Sequence, residues 1–542
     1  MRFIVPFLIF VIAISSCKET ALLDDAGLRK IKQDTDYYCA EAKTWLRFTE
    51  KTPELKGYFF VDSGRAVVTR IPFTFEKKRK KFIVWYVSDK THKVKITCFK
   101  INDNSLEFEV GDSNYVFVAE KQMLFPENEN RYIEEISDKV NVFNFKYGNA
   151  RGYYKSKLIE KISEDQYPDI IVDVGKSLIT NFMMTDLDLD MDVYMPSEDK
   201  CKKRPLLVLY HGGAFMIGDK TSPSMKEFAE YMAKRGYVVA SVNYRLGFWF
   251  VPGSHHFIER SIYRATQDAH ASIRFLVANA EKFRIDTSLI YTAGNSAGGF
   301  IAMNVAMMKD DSYFPSRKEN ITYLLDDLGC LDCSTNKLKG PFKVKAVINM
   351  WGALTHIRML VENPALPVLC FHGNDDKIIP IGHDFPFANI STELSKFFTE
   401  KVFGSEAIYK YSKVTKTPVQ IKIFDGYGHD PHVNEDGTMN PCYDTVKTVS
   451  RDFLYNLLKL PVAIVNGPLM VSSEDQIPEY IIANSEGNEV FWNVSGGKII
   501  NDSQFPEHKR IIWYNGAEKE IKVAMRNRNM SYSFYSQKVL QH

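Results

Sequence analysis

Residues 289–300 constrain the fold of this chain more than any other stretch. Leu289-Ile290-Tyr291-Thr292-Ala293 reads as an apolar strand, Gly294-Asn295-Ser296-Ala297-Gly298 has G-x-S-x-G spacing, and Ala297 to Met308 reads as a helix. A serine between glycines at a strand-to-helix junction marks a sharp turn with no room for neighbouring side chains, one that holds the hydroxyl exposed above a sheet. The helix then points its amide end at that hydroxyl. The pentapeptide alone is a modest signal, and its surroundings give it weight.

From about Val140 onward, strands alternate with long amphipathic helices, the pattern of a mainly parallel sheet covered on both faces. Asp186 to Asp192 alternates acid with apolar, as a strand with one acidic and one apolar face would. Its four carboxylates lack the glycine-bearing loop of a calcium hand, so the structural reading is preferred. Arg204 to Tyr210 reads as a buried strand running into His211-Gly212-Gly213-Ala214-Phe215, where small residues let backbone amides face a developing negative oxygen. A helix (Ser224 to Arg235), a strand (Tyr237 to Asn243) and a long helix (Ser261 to Phe283) lead on to the serine turn.

Three pieces of text resemble the α/β-hydrolase superfamily: Tyr210-His211-Gly212-Gly213-Ala214-Phe215, Val242-Asn243-Tyr244-Arg245-Leu246-Gly247, and Ala293-Gly294-Asn295-Ser296-Ala297-Gly298-Gly299. Within the superfamily they are similar to HGG-type esterases, carboxylesterase-like and hormone-sensitive-lipase-like, over about residues 145 to 460. The resemblance implies a serine nucleophile at Ser296 and an acid four residues after a histidine. In His372-Gly373-Asn374-Asp375-Asp376-Lys377-Ile378-Ile379-Pro380 that spacing selects Asp376, with Asp375 as the alternative. It also implies a base in the Gly-His pair after the last core strand, Val419 to Phe424. That selects His429, with His432 and His383 as alternatives. The order Ser296, Asp376, His429 is the chain order of this fold. The oxyanion hole is expected from the amides of Ala297, Gly213 and Ala214, and no metal or cofactor is implied. Two departures stand out: many family members have a third glycine where this chain has Ala214, and the cholinesterase-like branch has glutamate where it has Asn295. The expected activity is serine carboxylic ester hydrolysis. A serine peptidase of the same fold and a catalytically silent adhesion or binding protein are the alternatives.

Lys309 to Phe342 is a polar insertion at a place where the family often grows a lid, and a lid over the acyl pocket is expected there. It carries Cys330-Leu331-Asp332-Cys333. A single C-x-x-C cannot close a tetrahedral zinc site, which leaves a local disulfide or plain thiols.

The ends read differently. Arg2, the apolar run Phe3 to Ile14, and Ile14-Ser15-Ser16-Cys17 form a targeting segment over residues 1–17. Its last four residues resemble the bacterial lipobox, which implies lipid attachment at Cys17, export to the cell envelope, and an outer-membrane lipoprotein. Residues 18–140 read as a linker with a short helical piece before Glu50, then a β-rich module with strands at Ala66 to Phe73, Phe82 to Val87, Lys93 to Phe99, Leu106 to Val110 and Tyr115 to Ala119. Residues 141–460 form the hydrolase domain, closed by a helix from Asn440 to Leu460. Residues 461–542 hold short strands, and Glu489 to Ile499 resembles the tryptophan strand of PKD-like, immunoglobulin-like sandwiches. A net charge of +2 gives no reason to propose nucleic acid as partner. The expected partners are a small-molecule or carbohydrate-linked ester and, through the anchor, a membrane.

Overall fold

The computed structural model describes strand residues between 36 and 119 and, more continuously, residues 131–158, 166–180, 184–249, 256–318, 326–388, 401–434, 436–471, 477–500, 506–513 and 518–541, with isolated residues elsewhere. Cys17 and the targeting segment lie outside the described residues. The chain falls into two compact units. One comprises Glu129–Leu460 with Arg526–Tyr532, the other Met1–Asn128 with Pro461–Met525 and Ser533–His542.

The first of these units is built on an eight-stranded sheet: β1 (Val140–Gly152), β2 (Thr185–Pro196), β3 (Arg204–Tyr210), β4 (Val238–Val242), β5 (Ile285–Asn295), β6 (Val344–Met350), β7 (Val368–Gly373) and β8 (Val419–Phe424). Their spatial order is β1-β2-β4-β3-β5-β6-β7-β8. The β1–β2 and β2–β4 pairings are antiparallel, and every pairing from β4 to β8 is parallel. This is the α/β-hydrolase sheet. Side chains alternate between two apolar layers, as a strand with period two and both faces covered must. Leu206, Val208 and Tyr210 of β3 enter one core with Ile262 and Ile301, whereas Leu207 and Leu209 enter the other with Phe228 and Leu454. The covering helices include α1 (Tyr167–Thr180), α2 (Pro223–Lys234), α3 (His256–Ala278), α4 (Ala297–Met307), α5 (Ser405–Thr415) and α6 (Pro441–Leu458).

The acidic face of β2 is met by cations. Lys146 Nζ lies 2.6 Å from Asp188, Lys155 Nζ 2.6 Å from Asp190, and Lys220 Nζ 2.6 Å from Asp192. These pairs account for the alternation.

The described part of the insertion runs along α3. Gln267 Nε2 donates to the carbonyls of Leu328 (2.8 Å) and Cys330 (2.9 Å), Thr335 Oγ1 donates to Asp268 (2.6 Å), and Asp332 pairs with His270 and Arg274. Asn336 Nδ2 reaches the carbonyls of Ala271 and Tyr147. Cys330 and Cys333 are joined in a disulfide within this strap. Much of the polar chemistry of residues 326–336 is thus directed at the flank of α3, and residues 319–325 of the expected lid lie outside the described set. Coverage by the strap explains why charged residues of α3 such as Arg260, Asp268 and Arg274 are buried.

In the other unit, nine strands from Asp36–Cys39 to Ser113–Ala119 form one antiparallel sheet, in which the first strand pairs with both the second and the last. The strand Thr44–Glu50 pairs with Leu55–Asp62, Trp45 in register with Phe60, and its Leu46 is fully buried; residues 21–35, within the stretch where a short helical piece is expected, lie outside the described residues. Residues 465–541 form two four-stranded sheets. Trp492 is only half-buried there, its Nε1 donating to Pro506 O at 3.0 Å.

Candidate active site

Ser296 sits where β5 turns into α4, at φ 52° and ψ −121°. A non-glycine residue at positive φ is strained, and persists only where its surroundings over-determine it. Here they do. A Cβ at Gly294 would lie 2.2 Å from Gly298 O, and one at Gly298 would lie 1.9 Å from Tyr210 O, so both positions accept only glycine. The Ser296 amide donates to Met350 O at 2.9 Å, tying the turn to the end of β6.

Three side chains from the carboxyl ends of β5, β7 and β8 meet in one line. His429 Nε2 lies 2.9 Å from Ser296 Oγ, and His429 Nδ1 lies 2.8 Å from Asp376 Oδ2. A carboxylate only accepts, so Nδ1 carries the proton and Nε2 is left to accept from the serine hydroxyl. Asp376 Oδ1 accepts from the amides of Ile378 and Ile379, each at 2.9 Å. Burial alone would raise the Asp376 carboxyl, but the electrostatic attraction of His429 and hydrogen bonds from His372 and His429 outweigh it and hold it far below the usual carboxylate range.

His372 is the residue that sequence reasoning used only as a landmark. It is fully buried, with Nε2 3.2 Å from Asp376 Oδ2 and 3.0 Å from Ile379 O, and Nδ1 2.8 Å from Ser405 Oγ. It holds the same carboxylate oxygen that His429 Nδ1 contacts. The signal was its four-residue spacing from Asp376.

The alternatives fall elsewhere. Asp375 is exposed, its amide donating to Tyr427 O. His432 is buried against Trp351, ring centroids 4.6 Å apart, and burial lowers its pKa. His383 stacks on Phe403 at 4.0 Å.

Opposite the serine, Gly213, Ala214 and Phe215 have φ of 113°, 49° and 59°. The Gly213 carbonyl accepts from the amides of Met216 and Ile217, both at 2.9 Å. Among the described residues, no acceptor is bonded to the amides of Gly213, Ala214 or Ala297. A Cβ at Gly212 would lie 3.2 Å from Ser296 Cβ, so this loop passes directly beside the hydroxyl. The left-handed backbone at Ala214 explains why family members favour glycine there, and costs an alanine about 1 kcal/mol. His211 anchors the loop from beneath. Its ring stacks on Tyr244 at 4.4 Å, its Nδ1 meets Gly212 O at 2.8 Å, and Tyr244 Oη donates to His211 O at 2.7 Å. Burial pushes the His211 imidazole down to about 4, against smaller opposing effects of Gly212 and Asp219. It is neutral at neutral pH. Among the described residues, no group of three or more His, Cys, Asp or Glu is arranged to hold a metal.

The arrangement joins a hydroxyl to a base, the base to a buried carboxylate, and faces the hydroxyl with undonated amides. Residues 191–362 match the BD-FAE family model. The chain is also 24% identical over 307 residues to tuliposide B-converting enzyme 1 of Tulipa gesneriana, a match spanning 53% of this chain and 64% of the relative. It is 31% identical over 126 residues to carboxylesterase 3B of Mus musculus, spanning 22% of this chain and 20% of the relative. The chain thus spans less than two thirds of the length of these relatives. Among solved structures, esterase 2 of Thermogutta terrifontis phosphorylated by paraoxon is similar at 20% identity, with a TM-score of 0.36, over 50% of this chain and 90% of that one.

Proposed function

We propose that the chain is a serine carboxylic ester hydrolase working through an acyl-enzyme on Ser296. The observation that carries this reading is the continuous hydrogen-bonded line Ser296–His429–Asp376. A serine hydroxyl is a weak nucleophile until a base takes its proton. In this reading Ser296 Oγ attacks the ester carbonyl as its proton passes to His429 Nε2, and Asp376 stabilises the imidazolium and holds its orientation. The carbonyl oxygen becomes an oxyanion facing the amides of Ala297, Gly213 and Ala214, each such donor contributing about 3 kcal/mol to the transition state. His429 then returns the proton to the departing alcohol, and water repeats the sequence to release the acid. The filled hydroxyl, base and acid positions favour this over a silent binding protein. Reaction with a fluorophosphonate tests it. The label should fall on Ser296 and be lost in Ser296→Ala, whereas labelling elsewhere with full ester turnover in that variant refutes it.

The reading extends to the rest of the chain. Cys17 is lipidated and, once residues 1–16 are cleaved away, becomes the mature N-terminus that anchors an exported, envelope-bound enzyme, and residues 461–542 serve as a PKD-like accessory module. Together with the β-rich module over residues 18–140, an exported esterase of this architecture suits acylated carbohydrates. Metabolic labelling with a fatty-acid analogue tests the anchor: label is expected on the wild type and absent from Cys17→Ser. An unlabelled wild type refutes it.

A further inference from the structure

A second cavity, of about 400 Å³, lies in the same unit, and none of Ser296, Asp376 or His429 is among its lining residues. Tyr153, Arg245, Trp249, Phe257, Arg260 and Arg264 form much of its wall. The three arginines are buried, with 3–4% of their surface exposed.

Their charges are not equally matched. Arg245 Nε lies 2.9 Å and 3.0 Å from the two carboxylate oxygens of Asp268, which is itself fully buried. Arg260 donates to the backbone carbonyls of Ser316, Arg317 and Asp326. Arg264 differs from both. Its Nη2 donates to Gly247 O at 2.6 Å, its Nε has no hydrogen-bond partner, and no carboxylate pairs with it among the described residues. The Tyr153 ring lies 5.8 Å from its guanidinium carbon. Burial lowers its pKa to about 10, and it stays charged at neutral pH. The wall's other carboxylates, Asp326 and Asp327, are exposed. The Asp326 side chain is 82% accessible and pairs with Arg151 at 3.7 Å.

A buried guanidinium without an anion carries a large desolvation penalty, which a bound anion offsets. The Arg264 guanidinium, paired with no carboxylate among the described residues, calls for an anionic group on the ligand, which a single carboxylate supplies. The planar guanidinium suits a carboxylate, and the aromatic side chains suit an apolar body behind it. We propose that this cavity binds a small organic monocarboxylate, its charge against Arg264 and its apolar body beside Tyr153, Trp249 and Phe257, at a site separate from the Ser296 centre. The site also reaches the back of the oxyanion loop: Gly247, which accepts from Arg264, donates its amide to Phe215 O at 2.7 Å.

Isothermal titration of the full chain with benzoate tests the proposal, with benzamide as the neutral isostere. Saturable benzoate binding is expected, with benzamide weaker by about tenfold or more. Arg264→Met should weaken benzoate binding by at least about tenfold while the thermal melt stays cooperative. Phe257→Ala, which keeps the charge, should weaken benzoate and benzamide alike. Absence of saturable binding to the wild type overturns the proposal. So does equal affinity for benzamide, or undiminished benzoate binding by folded Arg264→Met, which would place the ligand elsewhere. If Arg264→Met does not fold, the comparison of the two probes on the wild type decides. Binding is read without turnover, so its failure leaves the ester-hydrolysis reading standing, and the reverse holds too.

Discussion

Replacing Gly298 by alanine tests whether the serine turn is held as tightly as its geometry requires. Inside a helix this exchange is ordinarily favourable by about 1 kcal/mol. Here the new Cβ would lie 1.9 Å from Tyr210 O, 2.6 Å from Tyr210 C and 2.8 Å from His211 O, all backbone atoms of β3 and the loop after it. Ordinary contact begins at 3.4 Å, so α4 must withdraw by 3.4 − 1.9 = 1.5 Å. The displacement carries the neighbouring Ala297 amide with it. An oxyanion donor works within about 2.7–3.1 Å, so such a shift removes its hydrogen bond, and losing one donor lowers kcat about 10²–10³-fold. Overpacking of this kind also costs about 1–3 kcal/mol of stability. The assay is kcat on p-nitrophenyl acetate, alongside the thermal melt of the same preparation. Gly340→Ala serves as control, because its Cβ would meet only Val277 Cγ1 at 3.5 Å, and both readouts should stay unchanged. A folded Gly298→Ala enzyme with kcat within about threefold of wild type refutes the reasoning.

Two further outcomes follow from the carboxylate and the loop histidine. Asp376→Asn should lower kcat about 10⁴-fold by losing the acceptor that fixes the His429 tautomer, whereas exposed Asp375→Asn should leave it nearly unchanged. Equal losses in the two variants, measured on one ester, contradict the assignment. His211 has its folded pKa depressed from 6.5 to about 4, so the unfolded chain binds more protons between those values. Stability is therefore fully present above pH 6.5 and falls as pH drops toward 4, by on the order of 3 kcal/mol. Buried His432 adds in the same direction. Urea unfolding of the hydrolase unit at several pH values should show this slope flattened in His211→Gln, and an equal slope in both proteins argues against it.

Much of the sheet was legible because its strands are either short apolar runs, as β3 is, or alternate apolar with polar residues, as β8 does with Gln420 and Lys422. Val419 to Phe424 coincides with β8, and Lys343 to Met350 begins one residue before β6. The serine turn was legible because only glycine fits at Gly294 and Gly298, and the sequence shows both. Two elements were not. β1 is mostly exposed on its outer residues and breaks register between Lys146 and Gly148, so its alternation is blurred. The strap over α3 is polar and reads as a loop, because its packing is made by hydrogen bonds to side chains of Gln267, Asp268 and Arg274 that no period reveals. Arg264 was hidden for a related reason: on an amphipathic helix an arginine reads as solvent-facing, whereas here Tyr153, the Gly247–Trp249 segment and the strap lie around it.

The most direct test of the central claim is to quench the enzyme within milliseconds of mixing with p-nitrophenyl acetate and map the adduct by peptide mass spectrometry. The account predicts one acetyl group on the peptide containing Ser296, accumulating in step with a burst of nitrophenol and absent from Ser296→Ala. Turnover with no acetyl on that peptide, or the same burst from Ser296→Ala, would contradict it.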